Sequence, residues 1–150
     1  MGILLIIGFV LISGCSMLFK EPEISVEDVS LTDFSLTDLT LLVNLTVDNP
    51  NMFGITFQSI ACDVMYQNNG QWVPLSHAET QDVRIEKGKN TVPVQVYAKN
   101  IDLLRVGLSV LKNREITIKV DGIARPSFFG FSPEIPFTHT ESIPIPGLSE

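Results

Sequence analysis

From Thr40 to Asp48 the chain alternates between apolar and polar positions. Leu41, Val43, Leu45 and Val47 point one way, and Thr40, Asn44, Thr46 and Asp48 the other, with Leu42 as the exception. A period of two with one apolar face predicts a half-buried β-strand. The pattern returns at Thr91–Ala98, where Val92, Val94 and Val96 share a face. It returns again at Arg114–Ala124, where Ile116, Ile118 and Val120 oppose Thr117, Lys119 and Asp121. Looser versions run over Ile24–Leu31, over Phe57–Gln67, from Gln71 through Leu75, and over Val83–Glu86.

Turn chemistry separates these runs. Asn49-Pro50-Asn51 ends one strand, because Pro50 removes a ladder donor and the Asn side chains can hold a turn through their own backbone. Asn68-Asn69-Gly70 permits the positive φ angles of a type I′ hairpin. Lys87-Gly88-Lys89-Asn90 is a further turn. Ser30-Leu31-Thr32-Asp33 recurs as Ser35-Leu36-Thr37-Asp38, too short for a solenoid repeat, and predicts strand edges with a bend or bulge between. Arg125–Pro136, rich in Gly, Pro and Phe, predicts a long loop, and Ile143-Pro144-Ile145-Pro146 an edge strand or extended tail.

One segment has helical spacing. Ile101, Leu104, Leu108 and Leu111 share a face, Asn100 suits the N-cap, and Lys112 and Arg114 suit the C-terminal end. The fold class these elements predict is all-β with one short helix: an antiparallel β-sandwich of about seven strands.

The N-terminal pattern is different. Ile3–Ile12 is almost entirely apolar and is followed by Ser13, Gly14 and Cys15. A short apolar run closed by small residues reads as a secretory signal. With the cysteine it resembles the lipobox of prokaryotic lipoproteins. That resemblance implies a diacylglycerol on the Cys15 thiol and cleavage between Gly14 and Cys15. The domains expected are a signal peptide at 1–14, a linker at 15–23 and one folded domain at 24–147. A single acyl chain binds membranes only marginally, at about 10⁴ M⁻¹, so the second chain matters. Two alternatives stay open. Gly2–Phe19 is uncharged, near the lower limit of the roughly 17–25 residues that span a bilayer, and can be an uncleaved transmembrane helix. It can also be a buried N-terminal element. The localisation expected is the cell envelope, on the outer side of the membrane.

Composition narrows the function. With 45% apolar and 18% charged residues the chain can build a core and is not a disordered, water-retaining polymer. A net charge of −7 argues against nucleic acid and against electrostatic adhesion to anionic lipid. Cys62 sits in a strand-like run and reads as a small buried hydrophobe. His77 and His139 have no metal-ligand spacing. Asp28, Asp33 and Asp38, five residues apart, do not match a calcium loop. The reading is a chain without catalytic residues, metal or cofactor. Phe128, Phe129 and Phe131 allow a hydrophobic contact lip or a plug in the sandwich end, and the usual burial of large aromatics favours the plug.

Val47-Asp48-Asn49-Pro50-Asn51-Met52-Phe53-Gly54-Ile55, a strand ending near Tyr66, Val92-Pro93-Val94-Gln95-Val96, Gly122 near Arg125-Pro126 and the closing Ile143-Pro144-Ile145-Pro146 carry a second resemblance. The chain resembles the group-2 late-embryogenesis-abundant proteins, the LEA14-like or WHy domain, over roughly Ile24–Gly147. The resemblance implies a fibronectin-III-like sandwich with one helix and a role in tolerance of desiccation or temperature stress. It carries over no catalytic residues, and Asn49, Pro50 and Asn51 only as a structural turn motif. The function expected is a non-enzymatic, membrane-tethered protective protein whose partners are the membrane, through the anchor, and partly unfolded clients. The alternative is an envelope binding or assembly module using sheet edges or the Phe128–Phe131 loop.

Overall fold

The computed structural model describes residues 20–35, 38–99, 114–128 and 130–144. Their regular elements are seven strands: β1 (Glu23–Phe34), β2 (Asp38–Asn49), β3 (Ile55–Asn68), β4 (Gln71–Ile85), β5 (Gly88–Lys99), β6 (Glu115–Ser127) and β7 (Ile135–Pro144). They form two antiparallel sheets, ordered β1-β2-β5 and β4-β3-β6-β7. The expected sandwich is therefore present. The helix expected over Asn100–Arg114 lies outside the described residues apart from Arg114, which takes a φ of 58°.

The alternating strands form the middle of the sandwich because their apolar faces meet there. Val43, Leu45 and Val47 of β2 are fully buried, as are Phe57, Ile60 and Cys62 of β3 and Val120 of β6. Val92, Val94 and Val96 of β5 join the same core. Each such side chain contributes about 1.5–3 kcal/mol relative to exposure.

Where the alternation falters, the ladder slips. In β1 the inward residues step from Val26 to Val29, three positions instead of two. The pairing with β2 shifts between Val26 and Asp28, so one extra residue resets the phase. A second slip between Leu31 and Asp33 lets Leu31 and then Phe34 pack on the core. The first copy of the Ser-Leu-Thr-Asp repeat holds this slip. The second begins the turn, where Ser35 N–H donates to the Asp38 carbonyl at 2.8 Å.

Three boundaries differ from the sequence reading. Val83–Glu86 is not a separate strand, since β4 runs unbroken from Gln71 to Ile85. A shift near Val64/Met65 absorbs Leu75 and carries the strand through Ser76–Asp82, where half-buried Ser76, Ala78 and Thr80 alternate with exposed His77, Glu79 and Gln81 at a sheet edge. Arg125–Pro136 is not one long loop: β6 continues to Ser127 and β7 starts at Ile135. Pro126 still pairs with Phe57 of β3, but the pairing between β6 and β7 ends at Ala124–Ile135, so no β7 ladder donor is needed there. β7 is the sheet edge at which Pro136 and Pro144 are tolerated.

The hairpin at Asn69-Gly70 has φ of 51° and 79°, both positive as a type I′ turn demands. The two open sides of the sandwich are laced by side chains. Glu141 Oε2 of β7 accepts the Val29 N–H of β1 at 2.9 Å, and the Ser76 hydroxyl of β4 donates to the Tyr97 carbonyl of β5.

Candidate functional site

The strand order puts four segments at one end of the sandwich: the start of β1, the β2–β3 loop (50–54), the β4–β5 link (86–87) and the β6–β7 connection (128–134). The β1–β2 and β3–β4 turns, the end of β5 and the start of β6 lie at the other end. The first end gathers most of the residues singled out in the sequence.

Asn49 and Asn51 build its floor, and both are buried. Asn49 Oδ1 accepts the Asn51 backbone N–H at 3.1 Å and the Asn51 Nδ2 at 3.0 Å across Pro50. Asn49 Nδ2 donates to the Phe53 carbonyl at 2.9 Å. Asn51 then grips the incoming chain. The Lys20 N–H donates to Asn51 Oδ1 at 2.8 Å, and Asn51 Nδ2 donates to the Lys20 carbonyl at 2.7 Å. An amide side chain is suited to this, having one acceptor and one donor side by side to match a backbone N–H and C=O. The motif therefore sets where the N-terminal segment leaves the body.

Around this clasp stands an apolar rim. Met52 is 81% exposed, Phe53 42% and Phe131 64%. Phe53 stacks on Phe128 with ring centroids 5.6 Å apart and 16° between planes. Phe128 and Phe131 exchange two backbone hydrogen bonds of 2.8 Å, closing a tight turn with Gly130 at φ 77°. A shallow groove of about 360 Å³ runs between Phe53, Thr56, Arg84, Ser127 and Phe128. Lys87 Nζ lies 3.5 Å from the Met52 sulfur. Phe131 is thus a projecting ring and not a plug, because the turn at Gly130 carries it outward. Phe128 is half-buried, and Phe129 lies outside the described residues, as do Gly14 and Cys15.

The sequence reading passed over Met52 and Phe53. The signal was present: two large apolar residues in a proline-containing turn, where polar residues are usual.

The outer face of the larger sheet carries the remaining chemistry. His77 Nδ1 lies 2.7 Å from Asp63 Oδ1 across the β3–β4 ladder, and its Nε2 lies 3.9 Å from Glu79. His139 Nε2 lies 3.4 Å from Glu141 on the other side of β7, the side of Phe137 and Ile143, at the open edge where Glu141 meets β1. Both histidines therefore have carboxylate partners, which the sequence reading did not identify. Strand periodicity places residues two apart on one face, which was the available signal for Glu79 and Glu141. Thr138 donates to Asp121 at 2.6 Å, and Lys119 reaches Asp121 at 3.7 Å and the Trp72 ring at 5.6 Å. Asp63, His77, Glu79, Asp121 and Arg125 line a shallow, open depression. Among the described residues no group of three or more His, Cys, Asp and Glu is placed to hold a metal, and no helix is long and apolar enough to cross a membrane.

Cys62 is a free, fully buried thiol. Burial, and secondarily the neighbouring Asp63 charge, pushes its pKa from the ordinary 9.0 up to about 11. A neutral thiol in an apolar core is a poor nucleophile.

Comparison with known proteins places this geometry. A family model described as late embryogenesis abundant protein matches residues 44–141. An uncharacterized protein of Methanocaldococcus jannaschii is 26% identical over 149 residues, which is 99% of this chain and 82% of that protein. Among solved structures, a solution structure from Arabidopsis thaliana superposes with a TM-score of 0.61 at 18% identity, covering 85% of this chain and 83% of its own. A solution structure described as a late embryogenesis abundant protein gives 0.58 at 18% identity, covering 93% and 78%. A crystal structure of a protein from Archaeoglobus fulgidus gives 0.56 at 14% identity, covering 81% and 98%. At these identities the structural likeness speaks for the fold.

Proposed function

The chain belongs to the late embryogenesis abundant protein family, and from that premise we propose that it is a non-enzymatic protective protein tethered to the outer side of a membrane. The observation that carries this reading is the family match over residues 44–141, which covers the sandwich from β2 through most of β7. Protection would act through weak, reversible contacts between the polar outer faces of the two sheets and partly unfolded clients. Those faces present Asn44, Thr46, Asp63, His77 and Thr138, many of them held by cross-strand hydrogen bonds. A net charge of −7 keeps copies apart as water is lost. The buried core stays closed, so clients are shielded without being bound deeply.

The tether is supported by the apolar run before Ser13-Gly14-Cys15 and is consistent with Lys20 being held at the surface by Asn51. The test is to dry and rehydrate a labile enzyme with residues 16–150 at increasing molar ratio. Recovery of activity above that given by an equal mass of albumin is the expected result. Recovery equal to albumin contradicts the protective reading.

A further inference from the structure

We propose that the apolar rim at the N-terminal end of the sandwich is a lipid-contact surface, so that Met52, Phe53 and Phe131 rest in the headgroup region of the bilayer to which the chain is tethered. This rests on the tethered reading above and extends it from attachment to orientation.

Three observations converge. Of the four exposed large hydrophobic residues among the described ones, Met52, Phe53 and Phe131 share this end, and only Tyr97 lies elsewhere. Between the lipid-bearing Cys15 of that reading and Lys20, the residues Ser16-Met17-Leu18-Phe19 carry no charged side chain. That segment leaves the body at the same end, because two hydrogen bonds fix Lys20 to Asn51 beneath the rim. An apolar segment entering a bilayer from this point brings the rim against the same surface. A second copy of the chain or a client would need no such coincidence of exit point and rim.

The chemistry of the rim suits an interface. The apolar face of an interfacial helix, rich in Trp, Phe and Leu, sits about 5–10 Å into the headgroup–acyl boundary, and the rim presents large apolar side chains of similar character. Lys20 and Lys87 flank the rim, with the Lys87 ammonium next to the Met52 sulfur. Long basic side chains can lay their methylenes on apolar surface and keep the charge at headgroup level. Glu21 and Glu23 are also nearby, so the contact is apolar in character and not a basic patch. It requires neither anionic lipid nor low salt. In this orientation the strands stand upright, and both outer faces remain clear of the membrane for clients.

The native Trp72 supplies an internal control. It lies near the start of β4, while the rim lies beyond the strand's far end at Ile85, roughly 40 Å away by strand rise. The full chain is reconstituted in phosphatidylcholine vesicles whose acyl chains carry bromine near the headgroups. Emission is compared for the wild type and for the variants W72F/F131W and W72F/M52W, whose substituted rim positions are exposed and tolerate a larger ring. Vesicle flotation is measured on the same samples. The expected result is that all chains float with the vesicles, the rim indoles are quenched several-fold more than Trp72, and high salt changes neither. Flotation with no excess quenching of either rim variant overturns the lipid contact while leaving the tether intact. Rim emission that shifts with protein concentration instead of lipid assigns the rim to a second copy and also overturns it. Failure to float overturns the tether and the contact together.

Discussion

Gly122 shows how tightly single positions are set. Its cross-strand partner is Phe137, and a Cβ built on Gly122 would run into the Phe137 ring. The ring occupies the space a side chain would take, so the glycine serves packing and not backbone freedom. Gly122→Ala must push a buried phenylalanine off its seat. The expected loss is about 1–3 kcal/mol, read as a lower urea midpoint with unchanged slope. Cys62 makes a different prediction. Its thiol titrates near 9.0 when unfolded and at about 11 when folded. Between those values the native state keeps a proton that the unfolded chain has lost, so stability falls as pH rises. The contribution is fully present below about pH 9 and is lost towards pH 11, a difference on the order of 2 kcal/mol. Denaturation of wild type and Cys62→Val across that range should show a steeper decline in the wild type. The same burial predicts no reaction of Cys62 with a thiol reagent until the protein unfolds.

Among the elements, β1 and β7 depend on each other. They are edges of different sheets, and the Glu141 carboxylate accepts the Val29 N–H that bridges them. Glu141→Ala removes a charged acceptor from a part-buried amide and should cost about 1–3 kcal/mol, with faster amide exchange at Val29. Glu141→Gln keeps an acceptor oxygen and should recover most of that loss. Such cross-sheet contacts are where the sequence became silent. Strands of clean alternation, β2, β5 and β6, were legible because one apolar face must turn inward. The Asn69-Gly70 hairpin was legible because its two residues tolerate positive φ. β4 was read as two strands because the inward side of its middle carries only the small residues Ser76, Ala78 and Thr80, which give no strong apolar alternation. β7 was largely missed because Pro136 and Pro144 read as loop when the strand's edge position is unknown. The candidate site was half legible. Asn49, Pro50 and Asn51 announced a turn, but their grip on Lys20, 31 residues away, is a property of the fold alone.

At the scale of the whole molecule, the described residues form a sandwich with a buried core, and three of their four exposed large hydrophobic residues lie at one end. Lys20 is held beside the apolar rim, so on the proposed reading attachment and orientation share one end and client contact falls on the flanks. In the proposed account the tether decides where this body works, and the rim decides how it stands. The family shows the kind of protein; the membrane is the part of the account that most needs a direct reading. Intact-mass spectrometry of the full chain, extracted from membranes of a prokaryotic host, supplies it. The account predicts a species beginning at Cys15 and heavier than its sequence by a diacylglycerol. A water-soluble species of unmodified sequence mass that still begins at Met1 would contradict it.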